Sequence, residues 1–491
     1  ITYTAVYYLT GAEAEGFIPF NINNYEDWVG NTGISVSETT NGSTVLFDMT
    51  PPPDFTLGSI LTTDTTETGV FEVPGYWNSF NQNLKIVVPV ADDATLVDGQ
   101  VQIEVSFGAD FQGIDFIQSI TNDDLSTDVI VEIEGSLFEG LDDYLEGSNA
   151  LFRALLWDKA GNLTTSSQSE TIIHIDETLP VLSLINQSSN NFIADSLAKV
   201  GDTDTLTFVS SEGLDSINIQ IFNNNVTPFG SDTDWRGTYV FSDDDTDGPV
   251  PFSISLSDTA GNFVYDISNT TDLSWIRFDG TIPILGSASF SSSNSTDTEL
   301  ANIGDTLFLN FESSEDLVSQ VVTIAGMIAD TVFINETRTP YMSWYILNGS
   351  ENEGYIPFSI AFTDLVGNNG DTVQTTTDGS SILFDMTPPN DFQIDTVYVE
   401  GGNVKAGYWN ASNDTIIIKI PVPDDDETLI GGYFQAQVSS DLESFNPIGD
   451  SFLIDSLDLG TNKNIYITNP DSFVEDVDLV FTAIARDRAG N

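Results

Sequence analysis

Phe47-Asp48-Met49-Thr50-Pro51-Pro52 returns letter for letter at Phe384-Asp385-Met386-Thr387-Pro388-Pro389. Looser copies stand between them, at Ile175-Asp176-Glu177-Thr178-Leu179-Pro180 and Phe278-Asp279-Gly280-Thr281-Ile282-Pro283. Upstream of these hexads lie Asp-x-x-Gly-Asn runs that begin at Asp27, Asp158, Asp258 and Asp364, and a fifth, Asp487–Asn491, has no hexad after it. The order along the chain pairs each Asp-x-x-Gly-Asn run with the hexad that follows it. Self-similarity at a fixed period decides architecture before any local reading does. The Pro-containing hexads therefore read as connectors between repeated domains.

Working outward, Thr39 through Phe55 matches Thr376 through Phe392 at a constant offset of 337. Gly75-Tyr76-Trp77-Asn78 returns as Gly407-Tyr408-Trp409-Asn410, and Val200-Gly201-Asp202-Thr203 matches Ile303-Gly304-Asp305-Thr306. Ser210-Ser211-Glu212 matches Ser313-Ser314-Glu315. These alignments predict five stretches: 1–50, the second half of a short domain; 51–179, a long domain; 180–282 and 283–388, two short ones; and 389–491, a second long domain lacking its last strand.

Period two governs the local pattern. Phe252, Ile254 and Leu256 alternate with Ser253, Ser255 and Ser257, and Ile217, Ile219 and Ile221 alternate with Asn218 and Gln220. Such alternation, broken by frequent turn residues, marks half-buried antiparallel strands. No stretch carries a helical stripe. Domains of roughly 100 residues built from many short strands are two-sheet sandwiches. The predicted fold class is all-β, a tandem array of Ig-like antiparallel β-sandwiches.

Composition narrows the function. Twelve basic residues face 76 acidic ones, a formal net charge of −64. That excess argues against nucleic acid or an anionic membrane as partner. With 40% hydrophobic and 11% aromatic residues the chain can bury cores, so the acid belongs on a folded surface. There is no Cys, which excludes disulfides, thiolate metal sites and Cys catalysis. No apolar run approaches the roughly 18 residues of a membrane span.

The set Gly-Asp-Thr, then Ser-Glu-x-Leu, then acid-Gly-x-x-Pro-Phe-x-Ile, then Asp-x-x-Gly-Asn and Asp-x-Thr-x-Pro resembles tandem bacterial Ig-like domains. Such domains build large secreted adhesins and surface filaments. The short domains match throughout and the long ones at their ends, while Ala436–Gly449 looks more like a fibronectin type III strand pair. The resemblance implies an extracellular or cell-surface location, commonly with calcium at domain junctions. It also implies a spacer, because this fold by itself fixes no function.

Calcium is the chemistry the residues favour. Asp243-Asp244-Asp245-Thr246-Asp247-Gly248 has spacing that can aim Asp243, Asp245 and Asp247 at one cation, though Ile254 stands where an EF-hand needs Glu. The alternative is a solvated acidic hairpin turn. Glu351 and Glu353, and Glu13 and Glu15, stand at the matching places in sister loops. Asp92-Asp93 and Asp424-Asp425-Asp426-Glu427 follow matching strands, and Asp424 and Asp425 join the candidate ligands. Asp158, Asp258 and Asp364 open Asp-x-x-Gly-Asn runs, where Asp either binds backbone N–H groups of a turn or contributes to a junction metal. In each hexad, Pro fixes φ, so the chain crosses the boundary extended. This makes Asp48, Asp176, Asp279 and Asp385 the leading junction ligands for calcium.

Enzymatic signals are scarce. His174, the single histidine, sits in a predicted strand, so no catalytic function is expected. Trp77 and Trp409 read as core residues, with a sugar-stacking surface as the alternative. The expected partners are other copies or further repeats of the same chain, with surface glycans or proteins as secondary candidates.

Overall fold

The computed structural model describes residues 1–64, 71–108, 110–333, 340–468 and 473–491. Their regular secondary structure is almost entirely β-strand, and their one α-helix, Gly135–Glu139, is five residues long. The chain divides into two compact units, each built from antiparallel sheets.

The first unit comprises residues 1–190, 203–240 and 249–276. In its long sandwich one sheet has the order Ile60–Asp64, Asn81–Pro89, Asp128–Glu134. The facing sheet runs Tyr76–Trp77, Ile173–Ile175, Asn149–Trp157, Gln100–Ser106, Gln112–Ser119. From Leu84 onward every second residue of Asn81–Pro89 is buried, so Leu84, Ile86 and Val88 meet Val101, Ile103, Val105 and Phe152 in one core. Trp77 is completely buried and packs edge-on against Phe138, with ring centroids 5.2 Å apart. This removes it from any sugar-stacking surface. Its counterpart Trp409 is half-buried.

A second sandwich of this unit joins Leu182–Ser189, Thr203–Ser210, Asp234–Val240 and Phe229–Ser231 in one sheet. The other sheet holds Asn224–Val226, Leu214–Ile221, Phe252–Asp258 and Phe263–Ile267. Its interior contains a polar pair. Asp204 is fully buried and accepts a 2.7 Å hydrogen bond from Gln187 Nε2, while its Oδ1 has no partner among the described residues. By sequence alignment the next sandwich has Leu307 and Phe290 in their place, both buried.

The second unit comprises residues 191–202, 241–248 and 277–491. Its first sandwich pairs Leu285–Ser292, Thr306–Ser313, Tyr341–Ile346 and Asp330–Phe333 against Met327–Ile328, Leu317–Ile324 and Phe358–Asp364. Phe311, Leu309, Ile324, Ile360 and Phe384 are among the residues of its core. The last sandwich sets Thr396–Glu400, Thr415–Pro421 and Asn462–Thr468 against a sheet centred on Tyr433–Ser439, with Ile418, Phe434 and Ile465 inside.

Short parallel pairs depart from the antiparallel rule, and they place the hexads. Ile173–Ile175 runs parallel to Tyr76–Trp77, Arg277–Phe278 to Leu197–Ala198, and Leu383–Phe384 to Leu300–Ala301. Each parallel pair ends by fixing the hexad Asp: Asp176 N donates to Trp77 O, Asp279 N to Ala198 O and Asp385 N to Ala301 O, at 2.9, 2.9 and 3.0 Å. Every one of these aspartates thus leaves its sandwich at the same pole, beside the same early turn.

Candidate junction site

Each Asp-x-x-Gly-Asn run closes on itself first. Asp258 Oδ1 accepts from Ala260 N and Asn262 N, both at 2.9 Å, and Oδ2 accepts from Asn262 Nδ2. Asp158, Asp364 and Asp487 make the same turn with Asn162, Asn368 and Asn491, and so does Asp27 with Asn31. Asp is required because one short carboxylate must accept several N–H groups at once. Gly takes the positive φ that the turn imposes, +91° at Gly261.

The closed loop then docks on the hexad that precedes its own sandwich, not on the one that follows. Asn162 Nδ2 donates to Asp48 O, Asn262 Nδ2 to Asp176 O, Asn368 Nδ2 to Asp279 O and Asn491 Nδ2 to Asp385 O, over 2.8–3.1 Å. The pairing read from chain order is thereby corrected. In a sandwich this late hairpin lies at the pole where the domain began, so the fifth run finds its partner upstream.

A second grip comes from an asparagine of the preceding sandwich. Asn78 Nδ2 donates to Ala260 O at 2.7 Å, Asn191 Nδ2 to Val366 O at 2.9 Å and Asn294 Nδ2 to Ala489 O at 2.7 Å. Each accepts, on Oδ1, the N–H two residues on: Phe80, Ile193 and Thr296. The acceptor is always the third position of the run, and it is buried in all three. These asparagines were not among the expected site residues. Asn78 lies in a repeated Gly-Tyr-Trp-Asn motif in which the aromatic residues carry the stronger sequence signal.

A third grip explains the acidic hairpins. Glu15 accepts from Met49 N and Thr50 Oγ1, Glu146 from Glu177 N and Thr178 Oγ1, Asp247 from Gly280 N and Thr281 Oγ1, and Glu353 from Met386 N and Thr387 Oγ1. Asp245 accepts from Ser242 N, as Glu351 does from Asn348 N. Asp243 is exposed. Asp243, Asp245 and Asp247 are thus spread over separate tasks rather than converging on one point.

Carboxylates do converge at two equivalent junctions. In the first unit Asp176, Glu212 and Asp258 bring carboxylate oxygens within 4.8 Å of one another, and in the second Asp279, Glu315 and Asp364 do the same. Asp258 and Asp364 are 1% exposed, the other members half-buried. Burial first, then Asp258 and Glu146, push Asp176 up to about 6. Burial with Asp279 and Asp364 pushes Glu315 up to about 7, and Glu212 and Asp279 rise for the same reasons. Glu212 and Glu315 align with each other in the sequence, but nothing in a linear sequence places them against a hexad.

The long sandwiches supply different acids. Asp48 is raised by burial and by Asp158, Glu15 and Asp93, and Asp385 by burial and by Asp487, Glu353 and Asp426. Asp93 and Asp426 each cap a short 3₁₀ turn by accepting from Thr95 N and Thr428 N. Asp426 is buried, whereas Asp424 and Asp425 are exposed. His174, the remaining titratable candidate, is exposed and bonded to Asn149.

No family model and no curated protein matches the sequence. Among solved structures, the chain is similar to a "Ca2+-stabilized adhesin" of an Antarctic bacterium that binds ice, at 14% identity and a TM-score of 0.35, over 89% of this chain and 99% of that one. It is also similar to a part of a 1.5-MDa bacterial ice-binding adhesin, at 14% identity and a TM-score of 0.30, over 69% and 100%. The I9-I11 tandem of titin follows at 7% identity and 0.20, over 63% and 94%. These are loose likenesses. The class is defined by the sheets and cores described above: a tandem array of Ig-like β-sandwiches.

Proposed function

We propose that this chain is the extracellular structural repeat region of a surface protein, a stalk, spacer or filament segment whose junctions are stiffened by calcium. The reading assigns it no catalysis. The observation that carries it is the pair of matching carboxylate triads, Asp176/Glu212/Asp258 and Asp279/Glu315/Asp364. At an effective dielectric near 20, two carboxylates about 4 Å apart repel by about 4 kcal/mol. Three of them, one fully buried, gain most from a hard divalent cation that prefers oxygen ligands.

The residues fit that ion. Each triad offers three carboxylates, and Ca²⁺ takes roughly six to eight oxygens, with carbonyls and waters completing the shell. At the first junction Asp48 Oδ2 is buried with no hydrogen-bond partner among the described residues. Bound there, calcium would supply charge neutralisation; the hydrogen-bonded grips tie each loop to its hexad. With extracellular modules binding calcium at about 10⁻⁴–10⁻³ M, the site suits an environment of roughly millimolar calcium.

The test is calorimetric titration of the whole chain with calcium, alongside small-angle scattering in calcium and in chelator. Binding that is lost in Glu212→Gln and Glu315→Gln, with flexibility rising in chelator, supports the reading. Absence of binding at millimolar calcium, or identical scattering in both buffers, overturns the calcium part of it.

A further inference from the structure

The loop Thr270-Thr271-Asp272-Leu273-Ser274 and its counterpart Thr376-Thr377-Asp378-Gly379-Ser380 share one scaffold. Thr270 Oγ1 donates to Ser274 O and Thr376 Oγ1 to Ser380 O, both at 2.7 Å. Ser274 N donates to Asp272 Oδ1 and Ser380 N to Asp378 Oδ1, both at 3.0 Å. Each loop is tied to the first strand of its sandwich in the same way, Gln187 N donating to Ser274 Oγ at 2.9 Å and Phe290 N to Ser380 Oγ at 2.8 Å. What the two loops carry differs. The later one has Gly379, with a φ of +79°, and then Ser381; the first repeat has Gly42, with a φ of +72°, and then Thr44. The loop between them holds Leu273, with a φ of +64°, and Trp275 at those positions.

Neither large side chain serves the core: Leu273 is 86% exposed and Trp275 56%. A left-handed backbone strains any residue with a Cβ, which glycine avoids. Strain kept without packing in return points to function. The strands beneath the loop have changed too. Gln187 and Asp204 stand where the next sandwich buries Phe290 and Leu307. Gln187 is 3% exposed, and its Nε2 donates to Asp204 Oδ2 at 2.7 Å and to Val250 O at 3.4 Å. Its Oε1 accepts no hydrogen bond among the described residues. Gln187, Leu273 and Trp275 line one open cavity of about 290 Å³, with hydroxyl and amide groups from Ser268, Asn269 and Thr270 around them. In a chain of net charge −64, no charged residue lines it.

We propose that this cavity is a binding site for a neutral carbohydrate, with Trp275 as the stacking platform and Gln187 as the acceptor at its floor. The indole presents an electron-rich face that attracts the polarised C–H bonds of a sugar ring. Asp204 is a positioning residue: by holding Gln187 Nε2 it leaves Oε1 to accept from a sugar hydroxyl, and the rim groups meet the others. A pocket that is apolar in its walls, polar at a few fixed points and uncharged throughout matches an uncharged polyhydroxyl ligand and offers nothing to an ionic one. The site accounts for the polar pair inside the sandwich and for both exposed side chains together. The inference goes beyond the structural-repeat reading and uses none of its calcium, so the two fail separately: calcium-insensitive scattering sinks that one, and the following experiment sinks this one.

The test applies the 491-residue chain, in chelator, to an array of neutral and acidic oligosaccharides, then titrates the neutral oligosaccharide of strongest signal by calorimetry. The expected result is binding to neutral members, weakened at least tenfold by Trp275→Ala. Leu273→Gly with Trp275→Ser rebuilds the loop as the next sandwich has it, and should abolish binding while the melting temperature holds. Gln187→Phe with Asp204→Leu rebuilds the floor in the same way, and should weaken binding at least tenfold in a chain that melts no lower than wild type at pH 8. Both pairs of replacements copy residues that already fold in this chain, so lost affinity reads the site and not unfolding. No neutral oligosaccharide bound at millimolar concentration, equal or tighter binding of acidic ones, or affinity unchanged in the three variants would each overturn the proposal.

Discussion

Asn262 donates its side-chain N–H to the main-chain carbonyl of Asp176, 2.8 Å away, while its own loop is tied to Asp258. The same side chain accepts from Ser79 N on Oδ1. One amide therefore links the hexad, the loop and the early turn of the preceding sandwich, using donors and acceptor together. Asn rather than Asp is needed, since only the amide both donates and accepts.

Replacing Asn262 by Ala leaves Asp258 buried with fewer donors and frees the Asp176 carbonyl. Leaving buried polar groups unpaired costs about 1–3 kcal/mol. Asn262→Ala should lower the melting temperature of the flanking sandwiches and open the Thr178–Val181 connector to limited proteolysis. An unaltered melting profile and cleavage pattern would show that the Asn262 amide adds nothing.

The raised carboxyls give the junction opposite pH responses with and without calcium. Asp176 and Glu315 stand at about 6 and about 7, above the ordinary carboxyl range, so folding favours their protonated forms. Without metal, their contribution is complete below the ordinary range and is lost as pH rises through about 6 to 7. Calcium needs the ionised forms, so its affinity should rise over that same interval. Titrations at pH 5.5 and 8 check this, together with melting in chelator at both values. Tighter calcium binding at the lower pH would contradict it.

Much of this was legible in the sequence because repeats compare a chain with itself. The period-two pattern gave the strands at Phe252–Asp258 and Phe358–Asp364, and the hexads marked the connectors. What order along the chain did not reveal was which pole each loop occupies, so Asp258–Asn262 looked like a partner for Asp279 when it grips Asp176. Asp426 was missed beside Asp424 and Asp425 because a run of like residues hides which one turns inward. The 3₁₀ turn it caps decides that. Glu212 and Asn78 escaped for a related reason: each acts on a residue that is distant in sequence.

Asp204 offers a stability test inside one sandwich. Burial pushes it up to about 7 from an ordinary 3.8, with Gln187 opposing the shift. The protonated carboxyl is thus favoured on folding; its stabilisation is whole below about 4 and disappears as pH rises through about 7. A shift of about three units corresponds to about 4 kcal/mol. The double replacement Gln187→Phe with Asp204→Leu copies the Phe290–Leu307 pair of the next sandwich. It should raise the melting temperature at pH 8 and flatten its dependence on pH between 4 and 7. A variant no more stable than wild type at pH 8 would rule out this account of the pair.

Three glycines with nearly the same backbone separate conformational strain from contact. Gly161, Gly261 and Gly367 have φ of +94°, +91° and +96°. Replacing any of them by Ala places an L side chain in a left-handed conformation, at a cost of roughly 1 kcal/mol. At Gly161 the new methyl group would have nothing within 4 Å, so Gly161→Ala should cost the strain alone. At Gly367 the methyl group would stand 2.8 Å from the ring edge of Phe192, which is 80% exposed and can swing aside. At Gly261 it would stand 2.7 Å from Val73 Cγ2 and 3.0 Å from Asn78 Nδ2, and Asn78 is held by its bonds to Phe71 and Ala260. Overpacking against groups that cannot move costs about 1–3 kcal/mol more. The expected order of destabilisation is Gly161→Ala least, Gly367→Ala next and Gly261→Ala most, read from denaturant unfolding of the whole chain. Equal effects at all three positions would mean that the loops require glycine only for its φ, and that the asparagine grip at Asn78 is too loose to feel a methyl group.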